Sequence, residues 1–140
     1  MAPSAICMIG EMVWELTGKV VGQRLVHHDG EMKLERTVEA KGKVFGEDVT
    51  YLGTTWSMER SQGGMVVKGV GMIMTKNGEK AMLQGSGITT SKAGPVGSFR
   101  GSRYLQTSAP SLARLNNVAL VFEIEIGPDG SYKDKTWEWK

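Results

Sequence analysis

The stretch "LQGSGITTSKAGPVGSFRGSRYLQT", residues 83–107, decides the fold, because it places pairs of glycines inside segments that otherwise alternate like β-strands. Gly85 and Gly87 lie two positions apart, and Gly97 and Gly101 four, so each pair shares one face of a strand. Glycines inside a strand let a strongly bent sheet coil, or leave room for a large side chain opposite. A dinucleotide fingerprint needs a helix directly after its glycines, whereas "ITT" follows Gly87, so these glycines do not predict a nucleotide site.

Turn signals divide the rest of the chain at short intervals. Asp29-Gly30, Asn77-Gly78 and Asp129-Gly130 are dipeptides that tolerate the positive φ values of tight hairpins. Between the turns, apolar and polar residues alternate with a period of two, which indicates strands. We predict eight strands, near 11–26, 32–45, 49–60, 64–75, 80–91, 96–106, 118–127 and 131–139, with one short helix within 106–116, between strands 6 and 7.

Eight long strands joined by tight turns form an antiparallel meander, and closing such a sheet removes its exposed edges. We therefore predict an all-β fold, an eight-stranded antiparallel up-and-down barrel. Strand 1, around Trp14–Val21, is expected to pair with strand 8, around Lys133–Trp139. The 140 residues form a single domain by this interpretation, with 1–10 as an N-terminal extension.

Composition excludes several classes of function. The net charge is only +2, and the lysine and arginine residues are not clustered, so no nucleic-acid partner is expected. The first residues lack the basic start and long apolar run of a secretion signal, no apolar run has membrane-spanning length, and Cys7 is the only cysteine. A cytoplasmic location and no membrane partner are therefore predicted. Zinc sites need clustered Cys and His, whereas His27 and His28 are adjacent and point to opposite faces of a strand. We expect no metal and no cofactor.

Several segments resemble uncharacterised bacterial and archaeal proteins grouped with the allene oxide cyclase barrels. The segments are "GTTWSMER" (53–60), "GVGMIMTKNGEKAMLQGSG" (69–87), "SFRGSRYLQT" (98–107), "LARLNNVALVFEIEI" (112–126) and "WEWK" (137–140). The resemblance implies an allene oxide cyclase-like or lipocalin-like barrel with a central cavity, often oligomeric. It does not imply the cyclase reaction, because a fold does not determine a function.

The candidate site consists of polar and soft apolar side chains assigned to the lumen. Arg100 and Tyr104 share a strand face, and with a glutamine they can hold a carboxylate or polarise a carbonyl. Methionines adapt to irregular cavities. The predicted ligand-binding residues are Trp56, Met72, Met74, Gln84, Arg100, Tyr104 and Trp137. The candidate catalytic residues are Arg100, Tyr104 and Glu123, although a surface ladder of small polar residues explains the same pattern.

Three functions remain open at this point. The first is binding of a small, mainly apolar molecule in the lumen. The second is a cofactor-free isomerase or cyclase that confines a reactive substrate, and the third is a structural or oligomer-forming barrel with a packed lumen. Residues 64–75 are apolar on both faces, which predicts a homo-oligomer, a dimer or trimer, that covers the outer face of this strand.

Overall fold

The computed structural model describes residues 9–89 and 97–140, and these ranges form one closed antiparallel barrel with the strand order β1 to β8. The strands are β1 Ile9–His28, β2 Glu31–Val44, β3 Glu47–Glu59, β4 Met65–Thr75, β5 Lys80–Thr89, β6 Gly97–Gln106, β7 Ala119–Ile126 and β8 Ser131–Trp139. A 3₁₀ helix, Pro110–Asn117, connects β6 to β7. The predicted fold class is therefore confirmed. The predicted turn at 93–95 and residues 1–8 of the predicted N-terminal extension lie outside the described residues, whereas Ile9 and Gly10 already belong to β1.

Pairing between the first and last strands closes the barrel, as predicted. Trp14 lies opposite Thr136, Thr17 opposite Lys133, and Lys19 opposite Ser131. Each of the other strands pairs with its neighbour in the chain. Closure leaves no open edge along the sheet. Without it, the alternating C-terminal strand would expose an unpaired edge.

The turns use the backbone conformations that their sequences predict. Asp29 and Gly30 between β1 and β2 have φ values of 52° and 78°, and Gly78 and Gly130 both have a φ of 83°. Paired positive φ values at Asp29-Gly30 suit the twist of a two-residue hairpin. β1 and β2 continue past the start of β8, so residues around this hairpin form a two-stranded ribbon that projects from the barrel.

One end of the barrel is filled with apolar side chains. Leu112 and Leu115 of the 3₁₀ helix are buried there, and the guanidinium of Arg114 lies 4.1 Å from the centre of the Phe45 ring. Asn116 fastens the helix by accepting a hydrogen bond from the Thr107 amide (2.8 Å) and donating one to the Thr107 carbonyl (2.9 Å). The opposite end, where β2, β4, β6 and β8 begin, holds the candidate site.

The lumen lies on the strand faces opposite to those predicted to line it. On β4, Val67 and Ile73 point inward, and Ile73 is fully buried, whereas Val70 on the other face is 43% exposed. A period of two determines which residues share a face but not which face is inside, and a shift of one residue exchanges the two. Glycine, alanine and valine occupy much of the inner face because the interior of an eight-stranded barrel is narrow.

Candidate ligand site in the barrel lumen

A buried ion pair stands in the lumen between β6 and β8. Arg103 Nη1 donates to Asp134 Oδ2 at 2.6 Å and to Thr136 Oγ1 at 3.0 Å. The Tyr132 hydroxyl donates to the same Oδ2 at 3.0 Å, and the Thr136 hydroxyl donates to Oδ1 at 2.9 Å. Both carboxylate oxygens therefore accept hydrogen bonds, which a buried charge requires. The guanidinium of Arg103 also lies 4.8 Å and 4.4 Å from the ring centres of Trp14 and Phe122.

Two tyrosine rings stack beside this pair. Tyr51 and Tyr132 are nearly parallel, with ring centres 6.4 Å apart. Burial raises the pKa of Tyr51 to about 12, and burial followed by the charge of Asp134 raises the pKa of Tyr132 well above its usual value. Both phenols therefore stay protonated at neutral pH and can donate hydrogen bonds.

A cavity of about 40 Å³ lies next to these rings. The apolar part of its wall includes Val38, Val67, Leu83, Phe99, Phe122, Ile124 and Ile126. The polar part consists of Arg36, Tyr51, Thr55, Ser86, Arg103 and Tyr132, and two glycines, Gly69 and Gly85, complete the lining. Arg36 is only 3% exposed, and burial lowers the pKa of its guanidinium. The chemistry of the lining is that of a small ligand site, apolar with a few polar groups.

Mid-strand glycines make room for two of these aromatic rings. A Cβ atom on Gly71 would come within 2.6 Å of the Tyr51 ring, and one on Gly101 within 2.8 Å of the Phe122 ring. The expectation that the glycines admit a large side chain is confirmed at these positions. Because the rings occupy the space, the cavity is smaller than glycines alone would leave.

The predicted catalytic residues lie on the outer wall. Arg100 Nε contacts Glu123 Oε1 at 3.2 Å in a partly exposed ion pair, and Arg100 Nη1 donates to Ser98 Oγ at 2.8 Å. Tyr104 is 59% exposed, and its hydroxyl donates to Gln84 Oε1 at 3.1 Å. Placing Arg100, Tyr104 and Gln84 in the lumen was wrong, because the alternation was assigned to the wrong side of the sheet.

The remaining predicted ligand-binding residues are also on the outer wall. Trp56 Nε1 donates to Glu35 Oε2 at 2.9 Å, and Arg24 Nε donates to Glu35 Oε1 at the same distance. Met72 and Met74 line an outer groove that also includes Lys19, Lys41 and Leu52. Trp137 lies opposite Met12 and Val121, both on the outer face. Their assignment to the lumen was wrong for the same reason.

The sequence did carry a signal for the lumen residues that were missed. Arg36 shares a strand face with Val38 and Ala40 on the apolar side of β2. Arg103 shares a face of β6 with Phe99 and Leu105. When a charged residue falls on the apolar face of an alternating strand, that alternation predicts that its side chain is buried. Asp134 was harder to find, because its strand has Tyr132 and Thr136 on one face and two tryptophans on the other.

Within residues 9–89 and 97–140, no three His, Cys, Asp or Glu side chains are grouped as a metal site would need. The same part of the chain contains no helix long and apolar enough to cross a membrane.

Comparison with solved structures finds chains of similar fold, three of which are described here. A protein with unknown function from Clostridium acetobutylicum ATCC 824 aligns with a TM-score of 0.78 at 17% identity, over 93% of this chain and 97% of that one. A conserved protein of unknown function from Rhodopseudomonas palustris has a TM-score of 0.76 at 13% identity, over 96% and 99% of the two chains. A β-barrel-like protein from Acinetobacter baumannii AYE has a TM-score of 0.75 at 13% identity, over the whole of both chains.

No protein-family model matches the chain, and no curated protein matches it. At these identities the structural matches define the class of protein by its fold, an eight-stranded antiparallel β-barrel. The finer resemblance to allene oxide cyclase barrels stays a prediction, since none of the three structures carries that name.

Proposed function

We propose that the barrel binds a small, mainly apolar molecule in its lumen. The observation that supports this most is the cavity at the end opposite the 3₁₀ helix, where apolar walls meet Arg36 and two protonated tyrosines. Val67, Thr55 and Ile126 are only half-buried, so the cavity is lined at its outer side by residues within reach of solvent.

The size of the cavity limits the ligand. A water molecule needs roughly 10–15 Å³ of cavity volume, so this cavity of about 40 Å³ holds about three waters. A ligand of about three or four non-hydrogen atoms fits this volume, and a longer one has to extend past Val67 and Ile126 toward solvent.

Binding is better supported than catalysis. Asp134, the buried carboxylate of the described lumen, already accepts hydrogen bonds from Arg103, Tyr132 and Thr136, and is poorly placed to take a proton from a ligand. The raised pKa of Tyr51, about 12, suits a hydrogen-bond donor more than a general base. A cofactor-free isomerase or cyclase that works by confinement is the catalytic alternative.

A structural barrel with a packed lumen is the second candidate. The filled end favours it, since Trp14, Leu16 and Leu115 are each at most 1% exposed. Outer apolar residues favour assembly, because Leu52, Met72 and Met82 lie directly opposite one another on β3, β4 and β5. We therefore also propose that the protein is a homo-oligomer. The cytoplasmic location and the absence of nucleic-acid partners stay predictions.

Two matched variants on β4 test the lumen proposal. Val67→Phe fills the cavity from the inner face, whereas Val66→Phe adds the same ring to the outer face one residue away. We expect two-dimensional NMR of the wild type to show saturable shifts of amide signals around Phe99 and Ile124 on titration with short apolar molecules. The shifts should persist in Val66→Phe and disappear in Val67→Phe. A wild type that shows no lumen shifts with any molecule of up to about four non-hydrogen atoms would favour the packed barrel.

A further inference from the structure

A β-bulge interrupts β1 just beyond its pairing with β8. Val20 lies opposite Val38 of β2, and Gly22 lies opposite Thr37, so Val21 is an extra residue in β1. Because side chains alternate along a strand, one extra residue exchanges the faces of all the residues that follow it. Bulges that re-aim side chains in this way are common at the rims of barrels and next to active sites.

The bulge brings Leu25 to the inner face of the sheet. Leu25 lies opposite Leu34, which shares a face of β2 with the buried Val38. In a regular strand Arg24 would take the inner face instead. With the bulge, Arg24 forms an exposed ion pair with Glu35 on the outer wall (2.9 Å). An apolar side chain thus replaces a charged one on the inner side of the open barrel end.

Three residues of this hairpin, Leu25, Met32 and Leu34, form what we call the apolar ledge. Leu25 is 67% exposed, Met32 is 58% exposed, and Leu34 is half-buried. In cross-strand register Leu34 lies opposite Ser57, and Ser57 lies opposite Val67, which lines the cavity. Neighbouring strands are about 4.8 Å apart, so this row runs about 14 Å from Val67 to Leu25. The apolar ledge therefore continues the wall of the cavity across three strands.

A second, independent observation places a polar group of a ligand at the start of this row. Ser57 is 3% exposed, and its hydroxyl has no hydrogen-bond partner within residues 9–89 and 97–140. A buried hydroxyl without a partner costs free energy, and an oxygen atom of a bound molecule removes that cost. Thr55, two residues away on the same face of β3, lines the cavity. Polar groups therefore lie at the cavity end of the row, and apolar groups at its far end.

We propose that the ligand is a linear molecule whose polar end occupies the cavity and whose hydrocarbon chain lies along the apolar ledge. This inference rests on the proposed lumen-binding function and names its ligand class. The cavity admits only about three or four non-hydrogen atoms, so a larger molecule has to leave it past Val67. The apolar ledge begins on that side and gives the emerging chain an apolar surface instead of water.

The test follows chain length, by NMR titration of the wild type with 1-propanol, 1-hexanol and 1-decanol. Full burial of one CH₂ group contributes about fourfold in affinity, and a chain on a ledge is covered on roughly one side. We therefore expect each carbon beyond propanol to tighten binding about twofold, whereas a chain that ends in water gains nothing. The amide signals of Leu25 and Leu34 should shift with 1-decanol and stay unchanged with 1-propanol.

A matched pair of variants assigns the gain to the apolar ledge. Leu25→Asn is expected to lower the affinity for 1-decanol about fivefold and to leave that for 1-propanol unchanged. Ile88→Asn is the control and should change neither, because Ile88 is 45% exposed but lies opposite Val66 on the outer face. If Leu25→Asn fails to fold, the chain-length series and the amide shifts of the wild type still decide.

The outcomes separate this inference from the proposed function. Lumen binding of 1-propanol without any gain for 1-decanol overturns the inference and leaves lumen binding standing, as does a gain that persists in full in Leu25→Asn. The same holds if Val67→Phe blocks 1-propanol but not 1-decanol. Leu25 signals that shift on dilution of the protein alone identify a second copy as the occupant and also overturn the inference. If none of the alcohols binds, or Val67→Phe blocks none of them, lumen binding and the inference fail together.

Discussion

Tyr51 shows how single residues set the size of the lumen. Its ring lies against Gly53 of its own strand and Gly71 of the next, and either glycine would clash with the ring if it carried a Cβ atom. A Cβ atom on Gly87 or Gly101 would also approach the Phe122 ring, to 3.1 Å and 2.8 Å, but it would first meet the backbone of the neighbouring strand, at the Arg100 and Ser86 carbonyl oxygens. Gly53 and Gly71 therefore make room for the Tyr51 ring, whereas Gly87 and Gly101 mainly let neighbouring strands approach closely, and the cavity is the space that the rings leave.

Gly71→Ala is expected to destabilise the protein by about 1–3 kcal/mol, because its Cβ would approach the Tyr51 ring to 2.6 Å. Gly22→Ala is the control, since nothing lies within 4 Å of a Cβ there, and it should change stability by less than about 0.5 kcal/mol. Urea unfolding at fixed protein concentration measures both. In a Tyr51→Leu background, Gly71→Ala should cost less, and an equal cost in both backgrounds would contradict the packing explanation.

At the scale of elements, the 3₁₀ helix closes one end of the barrel and leaves the other for the cavity. It is amphipathic, with Leu112 and Leu115 buried and Arg114 packed on Phe45. Ser111 Oγ donates to Glu79 Oε2 at 2.8 Å, which ties the helix to the start of β5. The helix therefore fills one end of the barrel, and the candidate site lies at the other end.

Leu115→Ala is expected to lower the free energy of unfolding by about 2–5 kcal/mol, because Leu115 is 1% exposed and its loss leaves a cavity. Leu25→Ala removes the same atoms from a side chain that is 67% exposed, in the part of β1 beyond its pairing with β8, and should cost less than about 0.5 kcal/mol. Thermal or urea unfolding of the two variants gives the comparison. Similar losses in both would mean that the helix does not close the barrel end in solution.

At the scale of the whole molecule, the outer wall carries apolar residues that are exposed to solvent in a monomer. Leu52, Val70, Met82 and Tyr104 are each more than 40% exposed, and they lie on the neighbouring strands β3 to β6. Met72, between Leu52 and Met82 in register, extends the same surface. Contiguous apolar surface of this kind is typical of interaction sites, and a second copy of the chain is the occupant that we propose.

Light scattering at micromolar concentration is expected to give the mass of two or more chains of 15.2 kDa each. Leu52→Lys combined with Met82→Lys places two charges in the apolar surface and should shift the protein toward monomer. Glu125→Lys, on the exposed outer face of β7, is the control and should leave the mass unchanged. A wild type that stays at the mass of one chain would overturn the assembly proposal.

How much of this could be predicted from the sequence depends on the kind of information that each feature needs. Turn dipeptides and the period of two act over a few residues, and they sufficed for the eight strands, the short helix and the closure of β1 onto β8. Even the sharing of faces was right, since Val67 and Ile73 do lie together, opposite Val66, Val70 and Met72.

The side of the sheet that faces inward was decided only by the tertiary structure. Methionine is buried about as often as valine or phenylalanine, and tryptophan is highly buried on average, so apolar content alone does not separate the two faces of β4 or β8. Enclosed volume separates them on β4, because a narrow lumen takes the face with Val67, Gly69 and Gly71, which leaves room for rings from other strands, and Met72 and Met74 stay on the outer face. The pairing of Arg103 with Asp134, 31 positions apart, likewise exists only once the barrel closes. Local pattern determined the strands, and the closed volume determined the site.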